Sequence, residues 1–410
     1  MARSAGHAGQ KDLARCGQAC GAIHSGRSLQ RHPQRRDLRR ILCSGDRPRP
    51  SRCSERALQA MTYSGRPTIP RHRLIILAFL SRRPRHWEDP NHSGACWSGV
   101  RAGLPVCVFD FKNDYAEKSF ADRHGLRVHD VNRHGLPFNP LALIGDDNGE
   151  VRPISQVHEL SEILRRIYGL SASRQAHQLR SAISTAFDNQ GIRVDEWYEV
   201  ERLKSFPDFN EVKTIREAYD RNDGLLASLS PLFDLNLFPR ARDSSSKFDE
   251  FMREHVVLDM HRLPNDLVKA ALSEFTVVRL HGHILRGDQP RELRRLLIFD
   301  KAWRVKDSAR LQELAREGRA FGVGIVVGTQ FPGDIPDELS GTLATQLMPG
   351  NQSVDQRRSV LLKLVGSTSG PEAQRLLRQM SMLQKHEGYF RNQQHTPYVL
   401  VKTEPYYLRD

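Results

Sequence analysis

The clearest pattern in the sequence is LLIFDKAWRVKDSARLQELAREGRAFGVGIVVGTQ, residues 296–330. An apolar strand ends in Asp300, a charged helix follows, and a second apolar strand ends in Gly-Thr-Gln at Gln330. Strands that alternate with helices predict an α/β fold, a mostly parallel sheet with helices on both faces. Because ligands bind beyond the carboxyl ends of such strands, Asp300 and Gln330 are candidate functional residues.

The same alternation extends in both directions from this stretch. A buried strand is predicted at Pro105–Phe111, followed by a helix that ends at Gly125 and a short strand at Leu126–Val131. A helical insertion at about 150–250 comes next, because apolar residues recur there at steps of three and four. The chain then returns to a strand at His255–Met260 and a long helix, and its tail predicts a closing hairpin.

Charge is distributed unevenly along the 410 residues, whose net charge is +14. Residues 1–98 contain 18 Arg, one Lys and six acidic residues, a net of +13. The remaining 43 basic and 42 acidic residues give residues 99–410 a net of only +1. We therefore predict two parts, a low-order basic segment at 1–98 and a folded α/β domain at 99–410.

The basic segment has three interpretations. Arginine pairs such as Arg35-Arg36 and Arg39-Arg40 would suit a disordered arm that neutralises nucleic-acid phosphates. Cys16, Cys20 and His24 have a metal-like spacing, but no second ligand pair follows them at a suitable spacing. The favoured interpretation is that the segment is read out of frame or from upstream of the true start, because 18 Arg against one Lys is typical of translated GC-rich DNA rather than of a selected basic arm.

Membrane and secretory classes are not supported by the sequence. The longest apolar run, Leu74–Leu80, is far shorter than the roughly 18 to 20 residues of a membrane helix. The first residues lack the apolar core of a signal peptide. Few and clustered cysteines predict a reducing, cytoplasmic location.

The strings LLIFDKAWRV and LQELAREGRAFGVGIVVGTQFPGDIP resemble the HerA family of hexameric DNA-translocating ATPases, including the related type IV secretion and conjugation motors. PVCVFDFKNDYAEKSF resembles the strand after the P-loop helix of that family, and LPFNPLAL resembles DptH-like members. The resemblance covers about residues 99–410. It implies a RecA-like P-loop NTPase fold, ATP and Mg²⁺ as cofactors, double-stranded DNA as partner, helicase or translocase activity and a ring hexamer.

The resemblance also implies roles for individual residues. Asp300 matches the Walker B aspartate that holds magnesium, and Gln330 matches the glutamine that senses the terminal phosphate. Arg319 matches a basic position of the family, which the sequence does not identify as an arginine finger. Helix capping is the alternative for Asp300 and a simple turn residue the alternative for Gln330.

Three polar residues lie at the carboxyl end of the predicted strand Pro105–Phe111 or directly after it. Asp110, Lys112 and Asp114 are candidate nucleotide contacts, because they come at the carboxyl end of a strand of the predicted sheet. A solvated loop explains the same residues equally well.

Two departures from the family pattern concern catalysis. A P-loop places a lysine after a glycine-rich turn, so that backbone N–H groups and the lysine hold the phosphates. None of the 12 lysines follows a glycine, so the motif is absent; its place would be at residues 80–98, with 74–80 as the possible first strand. The family has glutamate directly after the Walker B aspartate as general base, whereas this chain has Lys301.

The expected function is therefore a DNA-pumping ATPase by resemblance that is inactive as written. Lys301 as an ammonium has no lone pair to accept the proton of the attacking water, a loss of about 10² to 10⁴ in rate. Two alternatives remain, a non-catalytic pseudo-ATPase subunit of a ring and a DNA-binding protein that acts through its basic segment.

Overall fold

The computed structural model describes residues 77–80, 92–219, 224–238, 244–285, 289–290, 292–350, 353–384, 386–392 and 397–402. Most of the basic segment, including Cys16, Cys20, His24 and the arginine pairs, lies outside these residues. The described strands, in chain order, are β1 Leu77–Leu80, β2 Val106–Asp110, β3 Arg127–Asp130, β4 Glu150–Val151, β5 Tyr198–Glu199, β6 Val256–Asp259, β7 Arg295–Phe299, β8 Val323–Thr329, β9 Thr345–Pro349, β10 Glu387–Asn392 and β11 Val399–Lys402.

Nine of the described strands form one sheet in the order β11-β10-β9-β1-β8-β7-β2-β6-β3. Neighbours from β9 to β3 pair in parallel, and only β10 runs antiparallel, between β9 and β11. The predicted mostly parallel sheet and the closing hairpin are both confirmed. β4 and β5 form a separate antiparallel pair.

β1 occupies a central position in this sheet, between β8 and β9. The interpretation of residues 74–80 as a first strand is therefore confirmed for Leu77–Leu80. β1 lies before the predicted boundary at residue 98, and the helix that begins at His92 crosses this boundary and ends at Arg101. Residues 81–91, where a P-loop would follow β1, lie outside the described residues.

Helices connect most of the strands, including those predicted in the insertion and between β7 and β8. Between β1 and β6 they are α1 His92–Arg101, α2 Lys118–His124, α3 Val131–His134, α4 Pro153–Tyr168, α5 Gln175–Asn189, α6 Phe209–Tyr219, α7 Gly224–Phe233 and α8 Ser244–Arg253. The later ones are α9 Asp266–Leu285, α10 Ala309–Glu317, α11 Asp337–Thr342, α12 Val354–Val365 and α13 Pro371–Ser381.

The two faces of the sheet are buried by different helices. Alternate residues of the central strands, among them Phe109 and Phe299, pack against α9, α10 and the helices of the insertion. The intervening residues, such as Val108 and Ile298, pack against α1 and α2. Gly99 lets α1 approach closely, because a Cβ there would lie 2.6 Å from Leu296 Cδ1. Burial on both faces explains the continuous apolar runs of these strands.

The LPFNPLAL segment joins the insertion to the sheet. Its Phe138 and Leu141 side chains are completely buried. Asn139 is also buried; its amide donates to the Pro207 carbonyl at 2.8 Å, and its Oδ1 accepts the Leu141 N–H at 2.9 Å. The segment therefore has a structural explanation, because it satisfies its own polar groups while filling the core.

None of the described helices combines the length and the apolar character needed to cross a bilayer.

Candidate functional site

Four neighbouring strands bring an aspartate to the same edge of the sheet, because β2, β3 and β6 end in aspartate and Asp300 directly follows β7. The register pairs Asp130 with Asp259 and Asp259 with Asp110. Phe109 pairs with Phe299, which places Asp110 beside Asp300. Adjacent strands lie about 4.8 Å apart, so these carboxylates would repel one another unless each had its own partners.

Asp110 is held entirely by its own loop. Its Oδ1 accepts the backbone N–H groups of Lys112, Asn113 and Asp114 at 2.9, 2.9 and 3.3 Å. Its Oδ2 accepts those of Tyr115 and Ala116, each at 2.8 Å. Asp110 is completely buried, so in this arrangement the carboxylate organises the loop after β2.

Asp130 and Asp259, at the ends of β3 and β6, also hold local turns. Asp130 caps α3 by accepting the Arg133 N–H at 3.1 Å. Asp259 accepts the backbone N–H of His261 at 3.1 Å and also contacts the His261 ring. Both roles follow from the short reach of an aspartate at the end of a strand.

Asp300, the candidate magnesium ligand, is buried at the end of β7 and is followed by a strained residue. Lys301 has a φ of +60°, a left-handed conformation that is uncommon for a side chain of this kind. A short 3-10 helix, Ala302–Arg304, begins directly after it. The residue in the position of the expected general base is therefore a lysine in an unfavourable backbone conformation.

Lys301 lies within a cluster of cations. Burial lowers its pKa from the ordinary 10.5, and the nearby charges of Lys112, Arg304 and Lys269 lower it further, while Asp300 raises it. Burial and Arg304 likewise lower the pKa of Lys269, against the effect of Asp266 and Asp259. Positive charge from β2, β7 and α9 therefore converges on this edge. Lys269 and Arg304 carried no signal in the sequence, because only the fold brings them to Lys301.

Arg304 is the most deeply placed of these cations. Its side chain is 6% exposed, and Nη2 lies 2.9 Å from Asp266 Oδ1. The guanidinium stacks over Trp303 and Phe111, at 4.3 and 5.1 Å from the ring centroids. Its Nε and Nη1 are buried without a hydrogen-bond partner in the part of the chain described. One carboxylate therefore balances a guanidinium whose other N–H groups are unsatisfied.

Gln330 is half-buried at the end of β8, on the strand next to β7. The turn that contains it is held by Thr329, whose Oγ1 contacts Asp334 and accepts the Phe331 N–H at 3.3 Å. Register places Leu80, the last residue of β1, level with Thr329. The fold therefore brings Gln330, Asp300 and the end of β1 to one edge of the sheet, as the sequence predicts.

Arg319 lies at the opposite edge. α10 starts after the carboxyl end of β7 and ends before the amino end of β8, so Arg319 precedes β8 whereas Gln330 follows it. Seven residues of strand separate the two edges by about 23 Å. Arg319 is therefore not brought together with Asp300 and Gln330 within one chain.

A cavity of about 720 Å³ opens at the edge where Arg319 lies. Its charged lining residues are Arg316, Arg319, Asp337, Lys363 and Arg391. Four of these five groups are cationic, which favours an anionic ligand.

The described residues of the carboxyl edge do not by themselves fit a magnesium ion. Mg²⁺ is usually held by one or two carboxylates together with water and phosphate oxygens. Asp110, Asp130 and Asp259 hold their own turns. Asp300 is followed by Lys301, on which the charges of Lys112, Arg304 and Lys269 also act, and this concentration of positive charge would repel a divalent cation. Among the described residues, no group of three or more His, Cys, Asp or Glu side chains could hold a metal.

Comparison with known proteins bears on the fold. No family model matches the chain, and no curated protein sequence matches it. Among solved structures, VirB4 of Thermoanaerobacter pseudethanolicus has a TM-score of 0.63 at 15% identity, covering 86% of this chain and 94% of that one. The plasmid coupling protein TrwB in complex with ADP and Mg²⁺ has a TM-score of 0.53 at 14% identity, covering 82% and 86%. TrwB with a non-hydrolysable ATP analogue gives 0.52 at 14%, with the same coverage. The chain therefore has the RecA-like fold that it shares with VirB4 and with the conjugative coupling protein TrwB.

Proposed function

We propose that the chain is a HerA-type DNA-translocating ATPase by descent that has lost ATP hydrolysis. The observation that carries this proposal is Lys301, in the position of the general base and within a cluster of cations next to Asp300. The RecA-like fold shared with TrwB, which has been solved with ADP and Mg²⁺, supports the descent. The misfit of this edge to Mg²⁺ supports the loss.

The lowered pKa of Lys301 does not by itself supply a base for hydrolysis. A lysine with a lowered pKa loses its proton more readily, which is the direction that favours base catalysis. Hydrolysis also requires the terminal phosphate to be held in line, which in this fold depends on a P-loop. The sequence contains no lysine after a glycine, so that second requirement is not met.

We expect the full-length chain to show no ATP turnover above background with Mg²⁺, measured by phosphate release. Lys301→Glu alone should also be inactive, because the P-loop is still missing. Lys301→Glu combined with a P-loop sequence placed at residues 81–91 should recover hydrolysis if the rest of the fold is competent. A turnover of about 1 s⁻¹ or more in the unaltered chain, typical of ordinary enzymes, would contradict the proposal.

The position of Arg319 supports assembly with other copies. Because Arg319 and its basic cavity lie about 23 Å along β8 from Asp300, they would meet phosphates only on a different molecule. A ring in which each subunit presents this cavity to its neighbour, as the resemblance implies, would give Arg319 such a role. A pseudo-ATPase subunit within a ring of active copies would use the same surface.

The charge of residues 1–98 favours a second function, DNA binding through the basic segment. If the segment acts as a basic arm, replacing arginines in it should reduce the number of phosphates neutralised. The variant carries Gln at Arg35, Arg36, Arg39 and Arg40. Each phosphate contact contributes about 0.9 to the slope of log K against log salt, so the slope should fall by about 3 to 4.

The matched control for this test removes four exposed arginines of the folded domain, Arg123, Arg174, Arg202 and Arg253. Fluorescence anisotropy with duplex DNA across a salt series measures both variants on the full chain. Equal slopes for the arm variant and the unaltered chain would eliminate the arm as a DNA-binding element. They would be the result expected of an out-of-frame segment.

A further inference from the structure

We propose that the cavity at the amino edge of β8 and β9 is a binding site for a small sugar phosphate. Arg391 and Lys363 would hold the phosphate, and Gln346 would accept a hydrogen bond from a hydroxyl group of the sugar. One chain supplies all three side chains to the cavity. Binding there depends neither on a second copy of the chain nor on ATP hydrolysis.

The register of β9 and β10 brings Gln346 and Arg391 together. The two residues lie directly opposite each other in the antiparallel pair, so their side chains leave the sheet on the same face. Met348 and Tyr389, which lie two residues further along the two strands and are also paired, identify this face. Both pack in the small core formed with α12 and α13. Gln346 and Arg391 therefore line the cavity from the side of the sheet that α12 covers.

α12 adds a second cation to this face. Arg391 Nη1 donates to the Lys363 carbonyl at 2.9 Å, which anchors the guanidinium beside the last turn of the helix. The Lys363 ammonium donates to the Ile335 carbonyl at 3.2 Å and lies 3.7 Å from Asp337 Oδ1, on a side chain that is 98% exposed. Such an exposed pair contributes little. Since the described residues give Arg391 no carboxylate partner, the two cations favour an anion in the cavity.

The Gln346 amide indicates that the ligand also donates a hydrogen bond. Gln346 is 8% exposed, and its Nε2 donates to the Ser340 carbonyl at 3.0 Å, which fixes the orientation of the amide. Its Oε1 is then buried without a hydrogen-bond partner among the described residues. A buried acceptor left unpaired is unfavourable, and Gln346 lines the cavity. A ligand hydroxyl is the donor that this oxygen lacks.

The size and lining of the cavity favour a sugar over a nucleobase. Its volume of about 720 Å³ is typical of small-molecule sites. None of the described residues that line it has an aromatic ring on which a base could stack, whereas Ser340 and Thr342 have hydroxyl groups. Arg316 and Arg319 also line it and are exposed, so they would attract an anion from solvent.

Isothermal titration of the full-length chain with ribose 5-phosphate, sulfate and ribose tests the site. Sulfate is a tetrahedral dianion without an O–H group at neutral pH, and ribose has hydroxyl groups but no charge. We expect ribose 5-phosphate to bind more tightly than sulfate, and ribose not to bind measurably. Arg391→Gln should weaken the binding of both anions about tenfold to a hundredfold, as for loss of one charge-assisted hydrogen bond. Gln346→Leu should weaken ribose 5-phosphate about threefold to tenfold and leave sulfate unchanged, because only the sugar donates to the amide.

Arg358→Gln is the matched control for Arg391→Gln. Arg358 lies on α12, is 59% exposed and is not a lining residue of the cavity, so this variant should bind like the unaltered chain. Because Arg391 also holds the Lys363 carbonyl, urea denaturation checks that Arg391→Gln is folded. If it is not, Gln346→Leu still decides, since a folding defect would weaken the binding of both anions alike.

Four results would overturn the proposal. They are no binding of ribose 5-phosphate, unchanged binding in a folded Arg391→Gln variant, equal loss of both anions in Gln346→Leu, and binding of a short DNA strand with a terminal phosphate where ribose 5-phosphate does not bind. ATP turnover, measured separately, would contradict the proposed loss of hydrolysis without bearing on this cavity, so the two proposals fail by different results.

Discussion

Asp110→Ala should destabilise the domain by about 3 to 5 kcal/mol, because it strips five backbone N–H groups of their acceptor. The carboxylate is completely buried, and at least one of its donors, the N–H of Tyr115, is buried with it. Hydrogen bonds to a charged group contribute about 1.5 to 3 kcal/mol each, but water entering the space left by the side chain would recover part of the loss. We expect the loop from Phe111 to Ala116 to lose its fixed conformation.

Urea denaturation followed by circular dichroism measures this change. Asp122→Ala is the matched control, since Asp122 is an exposed aspartate on α2 and its removal should change the free energy of unfolding by no more than about 0.5 kcal/mol. Asp110→Asn is the informative intermediate, because it keeps one acceptor oxygen but turns an N–H₂ group toward backbone N–H donors. It should cost nearly as much as Asp110→Ala. Equal midpoints for Asp110→Ala and Asp122→Ala would show that the five hydrogen bonds do not stabilise the loop.

The central strands could be predicted from the sequence because both faces of the sheet are covered. A strand buried on both sides is a continuous apolar run, and PVCVFDF, HVVLDM, LLIF and GIVVG all have that form. β9, with the sequence TQLMP, is short and mixed in polarity and was not predicted. The helices α12 and α13 between β9 and β10 were likewise not predicted. Their apolar residues pack with Met348 and Tyr389 in a small separate core, which the sequence pattern does not indicate.

Only the site residues that directly follow strands could be predicted from the sequence. Asp300 and Gln330 follow adjacent strands, so the rule for parallel sheets places them at one edge without further information. The rule does not show what a carboxylate contacts. Asp110 lies level with Asp300 on the neighbouring strand, yet its carboxylate accepts hydrogen bonds from the backbone of the loop that follows it. Arg304 and Lys269 join the cluster through tertiary packing of α9 and the 3-10 helix, which the sequence does not indicate.

Phe299→Ala should also cost about 3 to 5 kcal/mol, since Phe299 is completely buried directly before Asp300. Its ring stacks on that of Phe109, the residue opposite it on β2, with centroids 4.4 Å apart and an interplanar angle of 23°. Removing the ring leaves a cavity between β2, β7 and the helices of the insertion, and it also removes an aromatic pair worth about 0.5 to 1.5 kcal/mol. Because the two rings share one contact, Phe109→Ala and Phe299→Ala together should cost less than the sum of the separate changes.

Phe331→Ala provides the control for Phe299→Ala, because Phe331 is 47% exposed in the turn after β8 and its loss should shift the urea midpoint only slightly. Phe299→Leu should cost less than Phe299→Ala, because leucine refills part of the space. If Phe299→Ala melted like Phe331→Ala, the two rings would not form a packed core beneath Asp300. The rigid edge on which Asp300, Lys301 and Lys112 are placed would then lack its support, since a charged cluster holds its geometry only when the strands beneath it are fixed.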